Sequence, residues 1–242
     1  MAVLSEKNSF IYFQNPRTGS TMLEEVLKKE LEGRFFPEPR DHKEKMVFKH
    51  ITYHDLISKG FAEKKFLDSL LKFTTVRNPY IKVVSAWLGG KKFYLDHKGT
   101  QTRVENILAK ECDDLEVYIK SLLLPMIYLP IRLRLAKALP SFVFVFPAVC
   151  YRLVRQLRKK RFITPEMDLI LKIEEIEIDF QKVLRRLSIS DDLELPVINR
   201  TESIRKPYGE YHTRWSRRFT RIMYGDIIHK FGYSFPGRID CV

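Results

Sequence analysis

Cysteine is scarce. The chain has three in 242 residues, at positions 112, 150 and 241, with no C-x-x-C pair and no Cys/His cluster. That excludes a disulfide-stapled scaffold, fits a reducing compartment and offers no zinc site. Ten glycines and twelve prolines are too few for a collagen-like or low-complexity chain. No basic leader with a long apolar core and a small-residue cleavage site opens the sequence, so no secretory signal is expected and the sequon Asn199-Arg200-Thr201 reads as chance or as structure. The uncharged run from Ala138 to Tyr151 covers only 14 residues and holds Pro140 and Pro147, which is too short and too broken for an ordinary transmembrane helix. What is present is 45% hydrophobic and 30% charged residues, a soluble globular composition with length enough for one domain, residues 1–242.

Acidic residues are absent from one stretch. Between Glu116 and Glu166 there is none, whereas Lys120, Arg132, Arg134, Lys137, Arg152, Arg155, Arg158, Lys159, Lys160 and Arg161 all fall there. The formal net charge of +13 less these ten leaves +3 for the rest of the chain. A nearly balanced domain with a basic, apolar segment at 117–165 is a weak argument for nucleic acid, and no nucleic-acid partner is expected. Arg152, Arg155, Arg158 and Lys159 recur on one helical face of that segment, with Leu153, Val154 and Leu157 on another. Such a helix can rest on an anionic membrane, hold an anionic sugar, or simply be a solvated face over a packed core.

The period of the apolar residues gives the order of elements. Residues 9–14 read as a buried strand, and Met22, Leu23, Val26, Leu27 and Leu31 follow at helical spacing, with Glu24 and Glu25 early and Lys28 and Lys29 late. Met46 to Ile51 reads as a second strand, 62–71 as a helix, and Phe73 to Val76 as a third strand before a helix starting near Pro79. Leu169, Leu171 and Ile173 suggest another strand. Phe180, Val183, Leu184 and Leu187 suggest a helix, and a last helix covers 216–231 and stops at Gly232. Alternating strands and helices imply an α/β fold with a central parallel sheet flanked by helices. Ligands of such sheets sit at the carboxyl ends of the strands, where the loops 15–20 and 77–79 emerge. The two loops can face one ligand if the first and third strands are neighbours.

Two of these turns carry chemistry. Pro16-Arg17-Thr18-Gly19-Ser20-Thr21 joins a strand to a helix. A glycine lets the backbone approach an anion, and the amides and hydroxyls at the helix start point at it. It is not a Walker A loop, since G-x-x-x-x-G-K-[ST] is missing, and alone it reads equally well as a capped helix start. Arg77-Asn78-Pro79-Tyr80-Ile81-Lys82-Val83-Val84-Ser85-Ala86-Trp87 forms the second turn. Arg77 can grip a phosphate bidentately, and Ser85 lies two turns along the helix.

Together the two turns resemble those of sulfotransferases that use 3′-phosphoadenosine-5′-phosphosulfate (PAPS), whose loops read P-[KR]-T-G-[ST]-[ST] and R-[ND]-P-x-x-[RK]-x-x-S-x-[FWY]. The resemblance covers residues 9–90 and, more loosely, 166–235, through Asn199-Arg200-Thr201-Glu202 and Asp226…Phe231-Gly232-Tyr233. It implies a P-loop-like three-layer fold. The chain looks more like the membrane-type carbohydrate branch of that family than its small-molecule cytosolic branch: His50-Ile51-Thr52-Tyr53-His54-Asp55-Leu56 is similar to the H-[VI]-x-Y-x-D-[FL] stretch of uronosyl 2-O-sulfotransferases, which contains their catalytic histidine. Those enzymes sit behind a membrane anchor for which this chain leaves no room, so a cytoplasmic relative, free or peripheral on a membrane, is the expectation.

The resemblance also implies roles. His50 would take the proton of an acceptor hydroxyl, with His54 as its rival, since a histidine ordinarily titrates near pH 6.5, about right for a base. Arg17, in the family's lysine position, would stabilise the leaving oxygen. Thr18, Gly19, Ser20 and Thr21 would hold the 5′ phosphate and sulfate, and Arg77 and Ser85 the 3′ phosphate, with Arg205 and Lys206 closing from the late loop. No metal is expected, and the acceptor would be a carbohydrate or glycolipid hydroxyl. Two alternatives stay open: a relative that binds the cofactor without turnover, and a basic membrane- or nucleic-acid-binding protein. A kinase on a related sheet is disfavoured by the missing Walker lysine.

Overall fold

The computed structural model describes residues 1–41, 44, 48–96, 104–123, 129–140, 143, 163–190, 193, 195 and 206–235. They group into two compact units, Met1–Arg77 with Lys159–Arg200, and Asn78–Arg158 with Thr201–Val242.

The first unit is built on a five-stranded sheet in the order β3-β1-β2-β4-β5. Its strands are β1 (Ala2–Ser5), β2 (Phe10–Phe13), β3 (Arg34–Phe36), β4 (Leu71–Val76) and β5 (Leu169–Lys172). β2 pairs parallel with β4, Phe13 opposite Thr74, and β4 pairs parallel with β5. β1 is antiparallel to both β2 and β3. The sheet is therefore mixed, a parallel core of three strands extended by two antiparallel ones, where the sequence suggested a parallel sheet throughout.

Alternation along the strands explains its two faces. Val3, Phe10, Tyr12 and Phe73 turn one way and pack with Met22, Leu23, Val26 and Leu27 of α1 (Ser20–Lys29) and with Phe180, Val183 and Leu184 of α8 (Ile176–Arg186). Ala2, Leu4, Ile11 and Phe13 turn the other way and pack with Tyr53 and Leu56 of α2 (Tyr53–Ser58) and Leu67 of α3 (Lys64–Asp68). Helices cover both faces, and each apolar side chain fully buried this way contributes about 1.5–3 kcal/mol. Tyr12 and Phe73 stack across neighbouring strands, ring centroids 5.2 Å apart, which fixes the β2–β4 register from the side-chain layer as well as from the backbone.

Two expected elements differ. Of the strand expected at 46–51, Met46 and Val47 lie outside the described residues, while Phe48 is helical and Lys49 and His50 form a turn, closed by the Ile51 amide donating to the Phe48 carbonyl at 3.0 Å. Phe48 there meets Phe61 edge-on at 5.3 Å. The helix expected over 62–71 is shorter, because Leu71 already belongs to β4.

The second unit is helical in its described residues: α4 (Pro79–Asp96), α5 (Val104–Glu111), α6 (Leu115–Leu123), α7 (Leu129–Ala138) and α9 (Arg214–Phe231). Val84 and Trp87 of α4 pack with Leu108 of α5, Ile119 of α6, and Phe219 and Met223 of α9. Thr213 caps α9 by accepting from the Ser216 amide at 3.2 Å, and Gly232, at φ 66°, ends it in the left-handed conformation that glycine adopts without strain. The expected start at Pro79 and stop at Gly232 both hold. The charged face at Arg152–Lys159, most of the run Ala138–Tyr151, and Arg205 lie outside the described residues. Among the described residues no helix is long and apolar enough to cross a membrane.

Candidate functional site

β2 and β4 are hydrogen-bonded neighbours running the same way, so the chain leaves both strands at one edge of the sheet. Beyond Phe13, residues 14–19 turn into α1. Beyond Val76 comes Arg77. Thr75 binds the two exits together. Its hydroxyl lies 2.5 Å from the Thr18 hydroxyl and 3.2 Å from the Tyr12 hydroxyl, and its carbonyl accepts from Asn15 Nδ2 at 2.8 Å. Thr18 Oγ1 also donates to the Asn15 carbonyl at 2.7 Å. All three loop-holding side chains, Asn15, Thr18 and Thr75, are buried. The Thr18 hydroxyl, expected to face a ligand, is thus engaged inside the loop, and what Thr18 can offer an anion is its amide.

The turn itself runs through two left-handed residues, Arg17 at φ 62° and Gly19 at φ 67°. For arginine that conformation costs about 1–2 kcal/mol, a strain the surrounding bonds must hold in place. For glycine it is free, whereas a Cβ at position 19 would lie 2.3 Å from Ile173 Cδ1 and oblige that side chain to move. No side chain caps α1. The Met22 amide turns back onto the Gly19 carbonyl at 3.1 Å, and among the described residues no side-chain oxygen caps the amides before it, close in sequence to the exposed Arg17 side chain, an arrangement suited to a tetrahedral anion. Ser20 is buried at the helix start and Thr21 is exposed. The loop residues fit a phosphate- or sulfate-bearing group on this ground.

His50 joins the same loop root. Its Nδ1 lies 3.0 Å from the Gln14 carbonyl. A carbonyl only accepts, so Nδ1 carries the proton and the basic lone pair of the neutral ring is on Nε2. Gln14 is held in turn, its Nε2 donating to Glu24 Oε2 of α1 at 2.8 Å. The rest of the His50–Leu56 stretch is structural. Thr52 and Asp55 form a reciprocal capping box at the start of α2, and Ile51, Tyr53 and Leu56 are buried. His54 is exposed and lies 3.9 Å from Glu166. Burial and the bond to Asp68 push the Tyr53 phenol up to about 12.

The remaining predicted positions divide by unit. Arg77, half-buried, belongs to the first unit with Arg17 and His50. Ser85 is buried on α4 in the second unit, and Lys206 is exposed there. Asn78 serves as a clamp: its Oδ1 accepts from the Tyr80 amide at 3.1 Å, and its Nδ2 donates to the Ser234 carbonyl at 2.9 Å. Gln14 and Thr75 are the site residues that sequence reasoning passed over. No motif marks them. The only signal was position, one being the first residue past β2 and the other two residues before Arg77. Among the described residues no group of three or more His, Cys, Asp or Glu could hold a metal.

No family model, no curated protein and no solved structure matches this chain.

Proposed function

We propose that the protein is a sulfotransferase that moves a sulfuryl group from PAPS to an acceptor hydroxyl, on a sheet of the P-loop-like three-layer kind. The observation that carries the reading is the parallel pairing of β2 with β4, laced through Thr75. It brings an uncapped helix start, Arg17 and Arg77 to the ends of adjacent strands, and the hydrogen bond to Gln14 adds His50 to the same loop root. The two motif loops emerge side by side, as a single shared ligand requires.

When bound, PAPS supplies the sulfuryl group, whose bond to the 5′-phosphate oxygen breaks as the acceptor oxygen bonds to sulfur. The work of the protein is alignment and charge stabilisation. The amides of residues 18–21 would hold the 5′ end, and Arg77 would pair with the 3′ phosphate. Ser85 is assigned to that phosphate by the resemblance alone, as are Arg205 and Lys206 to the cofactor. His50 Nε2 accepts the acceptor's proton, and the Gln14 carbonyl stabilises the imidazolium that forms by bonding its Nδ1 hydrogen. Arg17 offsets the negative charge that develops on the departing phosphate oxygen. The stretch around His50 supports a sugar hydroxyl as acceptor, on a carbohydrate or glycolipid, and the scarcity of cysteine supports a cytoplasmic location.

The test is transfer of labelled sulfate from PAPS to a panel of glycan, lipid and phenol acceptors. His50→Ala should lower transfer by about 10²-fold or more while adenosine 3′,5′-bisphosphate still binds. Near-normal turnover in that variant rejects the base. Binding without transfer in the native chain makes it a nucleotide-binding relative instead.

A further inference from the structure

We propose that α9 carries an anion-binding cavity for a small organic ester with two or more phosphate or sulfate groups. This goes beyond the reading above: none of Arg17, His50 or Arg77 lines the cavity.

Arg214, Arg217, Arg218 and Arg221 stand at i, i+3, i+4 and i+7, one continuous face of α9. The helix turns Ser216, Phe219, Thr220 and Met223 into the core and these four outward. Their side chains border a cavity of about 500 Å³ together with Tyr80 and Phe235, and among the described residues no carboxylate lines it. That is the size of a small-ligand site. Like charges three and four residues apart on a helix repel, and among the described residues none of the four arginines forms an ion pair. A bound anion turns that repulsion into attraction. Neighbouring guanidiniums on one face can clamp one tetrahedral anion between them, so four suit two such groups, and the planar fork matches phosphate and sulfate oxygens better than an ammonium does.

A solvated basic face would present the same arginines without a wall. Here the wall is built. The Phe235 ring lies 4.2 Å from the Arg217 guanidinium. It packs edge-on against Tyr80 at 5.1 Å and against His212 at 5.5 Å. The residue before it is held by Asn78 through the Ser234 carbonyl, and His212 Nε2 donates to the Tyr80 carbonyl at 3.0 Å. Arg217 is thereby oriented before a ligand arrives, which lowers the ordering cost of binding. The aromatic floor gives the organic part of the ester a surface to rest on.

The probe is inorganic pyrophosphate, titrated calorimetrically into the full chain carrying Arg77→Ala, which weakens the nucleotide loops as a second anion site. Binding should persist in that background and fall at least tenfold when Arg217→Ala and Arg218→Ala are added, with the thermal midpoint unchanged. Absence of binding at millimolar pyrophosphate, or equal affinity with and without the two arginines, overturns the inference. The sulfotransferase reading is scored separately, by adenosine 3′,5′-bisphosphate binding to the native chain.

Discussion

In the sheet unit the groups proposed to face an anion are backbone amides of residues 18–21, in a turn that Thr75, Asn15 and Thr18 hold together. In the helical unit they are four arginine side chains on one face of α9, steadied by a clamp of Tyr80, His212 and Phe235. The first arrangement is inseparable from the fold, because the residues that hold the turn are buried. The second is laid over the fold, because the arginines are exposed and the core beneath them is complete without them. Substitutions should therefore cost stability in the one and only affinity in the other.

The sharpest break of that contrast is Gly19→Ala. A left-handed alanine costs about 1–2 kcal/mol, and the Ile173 side-chain end must also shift to admit its Cβ. Denaturant unfolding should show the combined loss, and nucleotide affinity should fall with it. Thr75→Val comes next. It leaves the hydroxyls of Tyr12 and Thr18 without the oxygen they share, a loss of about 1–3 kcal/mol by the same measurement, with the backbone bond from Asn15 retained.

His212 gives the helical unit its own, smaller dependence. Burial, with Arg217 nearby adding to it and the bond to the Tyr80 carbonyl opposing it, holds the imidazole below its ordinary value of 6.5. The unfolded chain then takes up this proton more readily than the folded one. The contribution is fully present above pH 6.5, and stability falls as pH drops below it. Denaturant midpoints at pH 7.5 and about 5 should show this fall, reduced in His212→Gln. Arg218→Ala should change stability least, within about 0.5 kcal/mol, since the side chain is exposed.

The same contrast governs what the sequence made legible. β2 and α1 stood out because Phe10 to Phe13 is a compact apolar and aromatic run and Met22 to Leu27 follows a helical period. Gly19 and Arg77 stood out because their chemistry is local. β1 and β3 were missed: four and three residues carry too little period, and only pairing across the sheet defines them. The short apolar run Met46-Val47-Phe48 was read as strand although Phe48 is helical, the ambiguity such runs always carry. Gln14 and Thr75 act through contacts 36 and 57 residues away in sequence, to His50 and Thr18, which no spacing announces. The arginines of α9 were not singled out in the sequence, and the aromatic wall that makes a cavity of them depends on Asn78 reaching Ser234.

The central claim is that the exits of β2 and β4 together hold one nucleotide, and calorimetric titration of adenosine 3′,5′-bisphosphate tests it most directly. The account predicts single-site binding to the native chain, weakened at least tenfold by Arg77→Ala and independently by Gly19→Ala. No binding, or binding indifferent to both substitutions, would contradict it.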